Sequence, residues 1–171
     1  MIKIEKATIN DAKLIAKIGC QTFLESHGNS ASEVDVKNFV DKTYHEKAIV
    51  EEFKNKNVQY YIISVGSEIA GFTKIELNVA SQWVKESAIT KLDRLYLLEE
   101  FHGITLGVKL LNFIIETSKQ HNQKGIWLAV WVENNKAIGF YTKNGFKVVG
   151  DYLFKISDTH SNPNHIMYLS F

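Results

Sequence analysis

The sequence predicts an α/β fold, a single mixed central sheet of about seven strands flanked by helices in the order β-α-α-β-β-β-α-β-α-β-β. Three observations predict it. Helical apolar spacing dominates the first 54 residues and returns after residue 103. Between those stretches the period shortens to the alternation of strands, with a hairpin. One later run, Ile126 to Val132, is apolar throughout, which suits a strand covered on both sides of a sheet.

The elements follow in order. Residues 2 to 8 alternate as a first strand, and Asn10-Asp11 can cap a helix running to about Glu25. Ala12, Ile15, Ala16, Ile18 and Phe23 form its apolar side, and His27-Gly28-Asn29-Ser30 breaks it. Two short helices follow, around 32 to 42 and 45 to 54. Strands at 59 to 65 and 69 to 77 surround a Gly66-Ser67-Glu68 turn. A loop containing Trp83 leads to a strand at about 89 to 98. The next helix, from Gly103 to about His121, has a core stripe of Leu106, Leu110, Phe113 and Ile114 opposite Lys109, Asn112, Glu116 and Lys119. A short helix at 134 to 144 and strands near 146 to 156 and 164 to 171 close the chain.

Composition bounds the function. A chain of 171 residues suits one compact domain spanning 1 to 171, and 45% apolar with 23% charged residues is ordinary for a soluble protein. Twenty basic against 19 acidic side chains leave a formal charge of +1, so electrostatics make no case for nucleic acid or an anionic membrane as partner. The lone Cys20 excludes an internal disulfide, and the scattered histidines, with only His160 and His165 close in sequence, give no metal site. The first residues lack the apolar run of a signal peptide, and no run is long enough to span a bilayer. The expected location is the cytoplasm.

Two segments carry the chemistry. In the first, the strand Leu95-Tyr96-Leu97-Leu98 precedes His102-Gly103-Ile104-Thr105-Leu106-Gly107, which opens a helix. The unpaired N–H groups and partial positive charge of a helix start suit phosphates, and glycine there lets a ligand approach the backbone. The spacing is neither that of a P-loop nor that of a dinucleotide fingerprint. Alone, the Gly103/Gly107 pair also reads as a packing device. The second segment, Asn134 to Phe146, is a short helix ended by Gly145 that sets Tyr141 beside the apolar strand. Together they suggest a phosphorylated cofactor and an acid for its leaving group, as in acyl transfer from coenzyme A.

Both segments resemble motifs of the GNAT superfamily of N-acetyltransferases. The first aligns with Gln/Arg-x-x-Gly-x-Gly/Ala, with His102 in place of Gln or Arg and Thr105 in place of the central Gly. The second matches Asn-x-x-Ala-x-x-Phe/Leu-Tyr-x-x-x-Gly-Phe in full, at Asn134, Ala137, Phe140, Tyr141, Gly145 and Phe146. The resemblance implies the GNAT fold and acetyl-CoA as cosubstrate, without a metal. It implies a cofactor surface of Leu95, Tyr96 and Leu97, then His102, Gly103, Ile104, Thr105, Leu106, Gly107 and Val108, then Asn134, Phe140, Tyr141 and Lys143. Asn134 would meet the pantetheine and Tyr141 would protonate the departing thiolate. Thr105 adds a Cβ near the phosphates but brings a hydroxyl donor, and the charge of His102 depends on pH.

The chemistry independently wants such an acid. A thiolate of pKa about 8.5 and a phenol of about 10 are close enough for useful proton donation. The oxyanion needs backbone donors, which the end of the Leu95-Tyr96-Leu97 strand can supply. A core aromatic beside Phe140 and Phe146 is the competing reading of Tyr141. The base is open: Asp93, Glu76 or a water. Cys20 sits on an apolar helix, so direct transfer in a ternary complex is favoured over an acyl-enzyme.

Across about residues 5 to 171 the chain looks most like PaiA-type polyamine acetyltransferases, including Asp93-Arg94-Leu95-Tyr96-Leu97 and Ile126-Trp127-Leu128-Ala129-Val130-Trp131. That implies a small amine as partner, such as spermidine, with Glu25, Glu33, Asp35 and Glu76 lining a cleft. Solvated surface charges are the plainer reading of those four. An aminoglycoside, a peptide N-terminus, or a noncatalytic acyl-CoA sensor remain alternatives, and a homodimer through the last strands is plausible.

Overall fold

The computed structural model describes residues 1–103 and 105–171. Its strands are β1 (Ile2–Lys6), β2 (Val58–Val65), β3 (Glu68–Glu76), β4 (Thr90–Leu97), β5 (Gly125–Trp131), β6 (Lys147–Lys155) and β7 (Ser161–Ser170). The helices are α1 (Ala12–His27), α2 (Glu33–Thr43), α3 (Glu46–Phe53), α4 (Leu106–Gln120) and α5 (Asn135–Lys143). All seven strands form one sheet in the order β1-β2-β3-β4-β5-β7-β6, the mixed α/β architecture expected. Three helices separate β1 from β2, as the element-by-element reading expects although the summary order shows two, with Tyr44 and His45 dividing α2 from α3. No helix among the described residues is long and apolar enough to cross a membrane.

Local chemistry sets the boundaries. β1 stops at Lys6, earlier than residue 8, because Asp11 accepts from the Thr8 backbone N–H at 2.8 Å and closes a short turn before α1. The Ser32 hydroxyl accepts from Asp35 N at 3.1 Å and caps α2. α4 begins at Leu106 rather than Gly103, since Gly103 (φ +81°) and Thr105 (φ +64°) hold left-handed backbone that no helix tolerates.

The sheet is covered on both faces. α4 buries Leu106, Leu110, Leu111 and Ile114 against Ile126, Leu128 and Val130 of β5. Each such side chain contributes on the order of 2 kcal/mol. The exposed Glu116–Lys119 pair on its outer side, 3.1 Å apart, is worth under about 1 kcal/mol, so the inner face holds this helix. On the other face α1 and α3 pack Ile15 and Ile49 against Tyr60 and Phe72. A third cluster joins Phe23 and Tyr44 to Val36, Val40 and Ile156.

Two irregularities prepare the site. β4 and β5 are parallel neighbours only at Thr90–Ile126 and Lys91–Trp127. Beyond that, β4 stays with β3 as far as Leu97 and β5 stays with β7 as far as Trp131, so the two strands part. Within β4, Arg94 opposes Lys74 and Leu92 opposes Ile75, which leaves Asp93 as a bulge.

Candidate active site

The parting of β4 and β5 opens a cleft of about 1060 Å³. Ile126, Leu128 and Val130 turn inward to α4, whereas Trp127, Ala129 and Trp131 are only half-buried and line this cleft. The second face of β5, expected to be covered, is therefore a cleft wall. Its apolar residues are there to meet a ligand or the opposite wall rather than another helix.

One end of the cleft is built by the turn before α4. Leu95, Tyr96, Leu97, His102, Gly103, Thr105, Leu106, Gly107 and Val108 all line it; Ile104 lies outside the described residues. Thr105 precedes the helix in left-handed backbone and makes no side-chain cap, so its hydroxyl and the first-turn N–H groups are left for an anion. That backbone costs a β-branched residue about 1 kcal/mol or more. The glycines differ in their reasons. Gly103 is required by its φ of +81°. At Gly107 an added Cβ would make ordinary contact, 3.5 Å from the Phe140 ring.

His102 ties this turn to its surroundings: Nε2 lies 3.0 Å from Leu97 O and Nδ1 lies 2.9 Å from Lys136 Nζ. The carbonyl can only accept and the ammonium can only donate, so in this arrangement Nε2 donates to Leu97 O and Nδ1 accepts from Lys136. Lys136, in the first turn of α5, lines the cleft, whereas Lys143 at the far end of that helix does not. Lys143, placed on the cofactor surface by the resemblance, thus lies outside the cleft, while Lys136 two turns earlier lines it.

The second segment projects Tyr141 into the same cleft. Asn134 caps α5 by accepting from Ala137 N at 3.0 Å, and its Nδ2 has no protein partner among the described residues. At the far end Phe146 N donates to Tyr141 O and Gly145 N donates to Thr142 O, both at 3.1 Å, with Gly145 at φ +89°. This paired termination fixes the helix turn that carries Tyr141. The Tyr141 ring lies edge-on to Phe140 and Phe146, 5.2 and 5.4 Å away. Burial, aided by the Tyr96 phenol, pushes its hydroxyl well above the usual phenol range, so it rests protonated. Its hydroxyl has no hydrogen-bond partner among the described residues.

The two carboxylates considered as bases are engaged. Asp93 lies 2.9 Å from Lys74 and 2.7 Å from Lys91, with Arg94 at 3.9 Å. Burial pushes its carboxyl up, but these three cations outweigh burial and hold it far below the carboxylate range. Glu52 completes the cluster, 3.0 Å from Arg94 and 3.1 Å from Lys74, and it also accepts from the Tyr60 hydroxyl. Glu76 does not line the cleft; it accepts from Asn55 at 2.7 Å. The local sequence gave no sign of this cluster, because its members come from α3, β3 and the β4 bulge.

The remainder of the cleft is aromatic. Phe23 stacks on His27 at 4.9 Å and on Phe39 at 4.8 Å, and His27 reaches Trp131 at 6.0 Å. Ser26 Oγ lies 2.7 Å from His27 Nδ1 and 2.7 Å from Thr22 O. Burial lowers the His27 pKa to about 4, so the ring is neutral at pH 7. Of the four carboxylates expected at a cleft only Glu25 lines it, joined by Glu99, whose backbone N donates to Glu25 Oε2 at 3.3 Å. Glu33 and Asp35 lie on α2 outside it. The spacing of Phe23 and His27, four apart on one helix, was the available signal for this wall.

Residues 21–146 match the acetyltransferase (GNAT) family. An uncharacterized N-acetyltransferase of Lactobacillus delbrueckii subsp. lactis is 26% identical over 157 residues, 92% of this chain and 91% of that protein. The spermidine N(1)-acetyltransferase of Thermoplasma acidophilum is 26% identical over 154 residues, 86% of this chain and 89% of the relative. Among solved structures, the PaiA N-acetyltransferase of Thermoplasma acidophilum in complex with coenzyme A superposes with a TM-score of 0.79 at 21% identity, covering 100% of this chain and 99% of that one. The ribosomal-protein-S18-alanine N-acetyltransferase of Escherichia coli gives 0.69 at 16% identity, over 99% and 94% of the two chains.

Proposed function

The chain belongs to the GNAT acetyltransferase family and is an amine N-acetyltransferase; from that premise we propose that it moves the acetyl group of acetyl-CoA to a primary amine in a ternary complex, with a polyamine such as spermidine as acceptor. The observation that carries this reading is the convergence of both motif segments on one cleft, Gly103, Thr105 and Gly107 at one end and Tyr141 beside the parted strands.

The residues divide the work. The first turn of α4, with Gly103, Thr105 and Lys136, holds the phosphates. The facing edges of β4 and β5, with Asn134, hold the amide-bearing arm of the cosubstrate, whose bound form supplies the activated acyl group. N–H groups near Leu95 to Leu97 stabilise the oxyanion that develops on attack. Tyr141 keeps its proton until sulfur leaves and then gives it up. Polyamine as acceptor rests on the named Thermoplasma relative and on a cleft whose aromatic faces and rim carboxylates, Glu25 and Glu99, suit alkylammonium groups.

A thiol-release assay with acetyl-CoA against polyamines, aminoglycosides and peptides tests the reading. Spermidine should give the fastest release. Tyr141→Phe should lower kcat about a hundredfold to a thousandfold while calorimetry finds unchanged CoA affinity. CoA binding with no thiol release for any amine would leave a sensor in place of an enzyme.

A further inference from the structure

His27 stands at the C-terminal end of α1, its ring stacked on Phe23 at 4.9 Å and 15° and tilted against Trp131 at 6.0 Å. Two short contacts fix its tautomer. The Ser26 hydroxyl has one hydrogen and gives it to Thr22 O at 2.7 Å, so toward His27 Nδ1, also at 2.7 Å, its oxygen can only accept. Nδ1 therefore carries the ring hydrogen. Burial lowers the His27 pKa to about 4, so at pH 7 the other nitrogen, Nε2, holds a lone pair. Nε2 has no protein partner among the described residues, yet it is not sealed in: the buried side-chain atoms left without a partner there are the Ser30 and Ser81 hydroxyl oxygens. The ring lines the cleft, and there the lone pair is reachable.

A second acceptor flanks the same indole. Asn164 on β7 pairs directly with Trp131 on β5, and both side chains leave the sheet on the cleft side. Asn164 is buried. Its Nδ2 donates to Asn162 O and Pro163 O, both at 3.2 Å, which leaves Oδ1 without a protein partner among the described residues. Two free lone pairs beside an aromatic face suit a ligand that brings N–H groups and positive charge.

Resting on the acetyl-transfer reading above, we propose that His27 Nε2, together with Asn164 Oδ1, is the docking point for an amine nitrogen of the acceptor, held through its own N–H hydrogens beside Trp131. Both acceptors are neutral, and that has a chemical consequence. A carboxylate at this place would favour the charged ammonium and hold it protonated. A weakly basic imidazole and a carboxamide accept the hydrogen bonds without that bias. The ring is also aimed before the amine arrives, since Phe23 stacks on one face and Ser26 holds Nδ1.

Histidine nitrogen NMR of the natural chain, with CoA present, tests the docking point directly. The His27 signals, identified by their loss in His27→Phe, should show a protonated Nδ1 and an unprotonated Nε2. Spermidine should move the Nε2 resonance. Butyltrimethylammonium, which has no N–H to give, should leave it in place. In thiol release, His27→Phe keeps a stacking ring and loses the lone pair. KM for spermidine should then rise about tenfold, with kcat within about threefold and acetyl-CoA affinity within about twofold. Asn164→Ala should raise the same KM about threefold. A proton on Nε2, a resonance that spermidine does not move, or an unchanged KM in His27→Phe each overturns the docking point. A natural chain that releases thiol with no amine overturns the transferase reading instead, and the His27 resonance still decides whether the amine docks there.

Discussion

Asp93 and Arg94 lie two or three positions from Tyr96 on the same strand, yet the two places are built on opposite terms. Around the bulge every charge is answered: Asp93 by Lys74 and Lys91, Arg94 by Glu52. At Tyr96 the groups are uncharged, and its one protein hydrogen-bond partner among the described residues is another phenol, Tyr44. Fully paired charges keep one protonation state over the whole physiological range, so they can brace a strand but do not exchange protons with a substrate. Neutral hydroxyls in a buried cleft exchange protons without leaving a stranded charge. The strand thus sets a fully paired charge cluster beside an uncharged stretch of cleft wall by giving them different kinds of side chain.

The largest expected effect would break or confirm that division. Glu52→Gln leaves Arg94 and Lys74 short of a counter-charge and should destabilise the chain by about 3 kcal/mol in a denaturant titration. Turnover at a temperature where it remains folded should fall less than about tenfold. A loss as deep as that expected of Tyr141→Phe would erase the distinction between the charge cluster and the cleft. A smaller effect concerns a third kind of group, the neutral imidazole at the cleft wall. His27 has a folded pKa of about 4, below its unfolded value. The unfolded chain therefore binds more protons between about pH 6.5 and 4, and stability should drop as pH falls through that window. His27→Phe should flatten the drop, as read from Tm against pH; an unchanged slope would remove His27 from the account. The smallest effect is at the cofactor end, where charge meets solvent. Lys136→Ala should weaken CoA about fivefold by calorimetry, while Lys143→Ala should change it less than twofold, since Lys143 is outside the cleft.

Much of this was legible in the sequence because it is local. Period and punctuation placed each strand and helix to within a few residues, and the spacing from Asn134 to Phe146 specifies a cap, a helix face and a glycine terminator that the structure reproduces. What was not legible depends on partners distant in sequence. The apolar run Ile126 to Val132 reads the same whether its second face meets a helix or a cleft. Asp93 reads as an available carboxylate until the bulge and α3 bring cations to it. Lys136 and Lys143 share a helix face, and their separation of about 10 Å along the axis decides which one reaches the cleft. Tyr44 reads as a break between helices, and its contact with Tyr96 spans 52 positions.

The brevity of the β4–β5 ladder bears on how the molecule deforms. Within the sheet, two residue pairs of the described residues join a four-stranded leaf, β1 to β4, to a three-stranded leaf, β5, β7 and β6. What reinforces that short ladder is α4, whose Leu110, Leu111 and Ile114 share one buried core with Leu92 of the first leaf and with Ile126 and Leu128 of the second. A ligand lying in the gutter between the leaves touches both at once, on the side of the sheet where the ladder itself has ended.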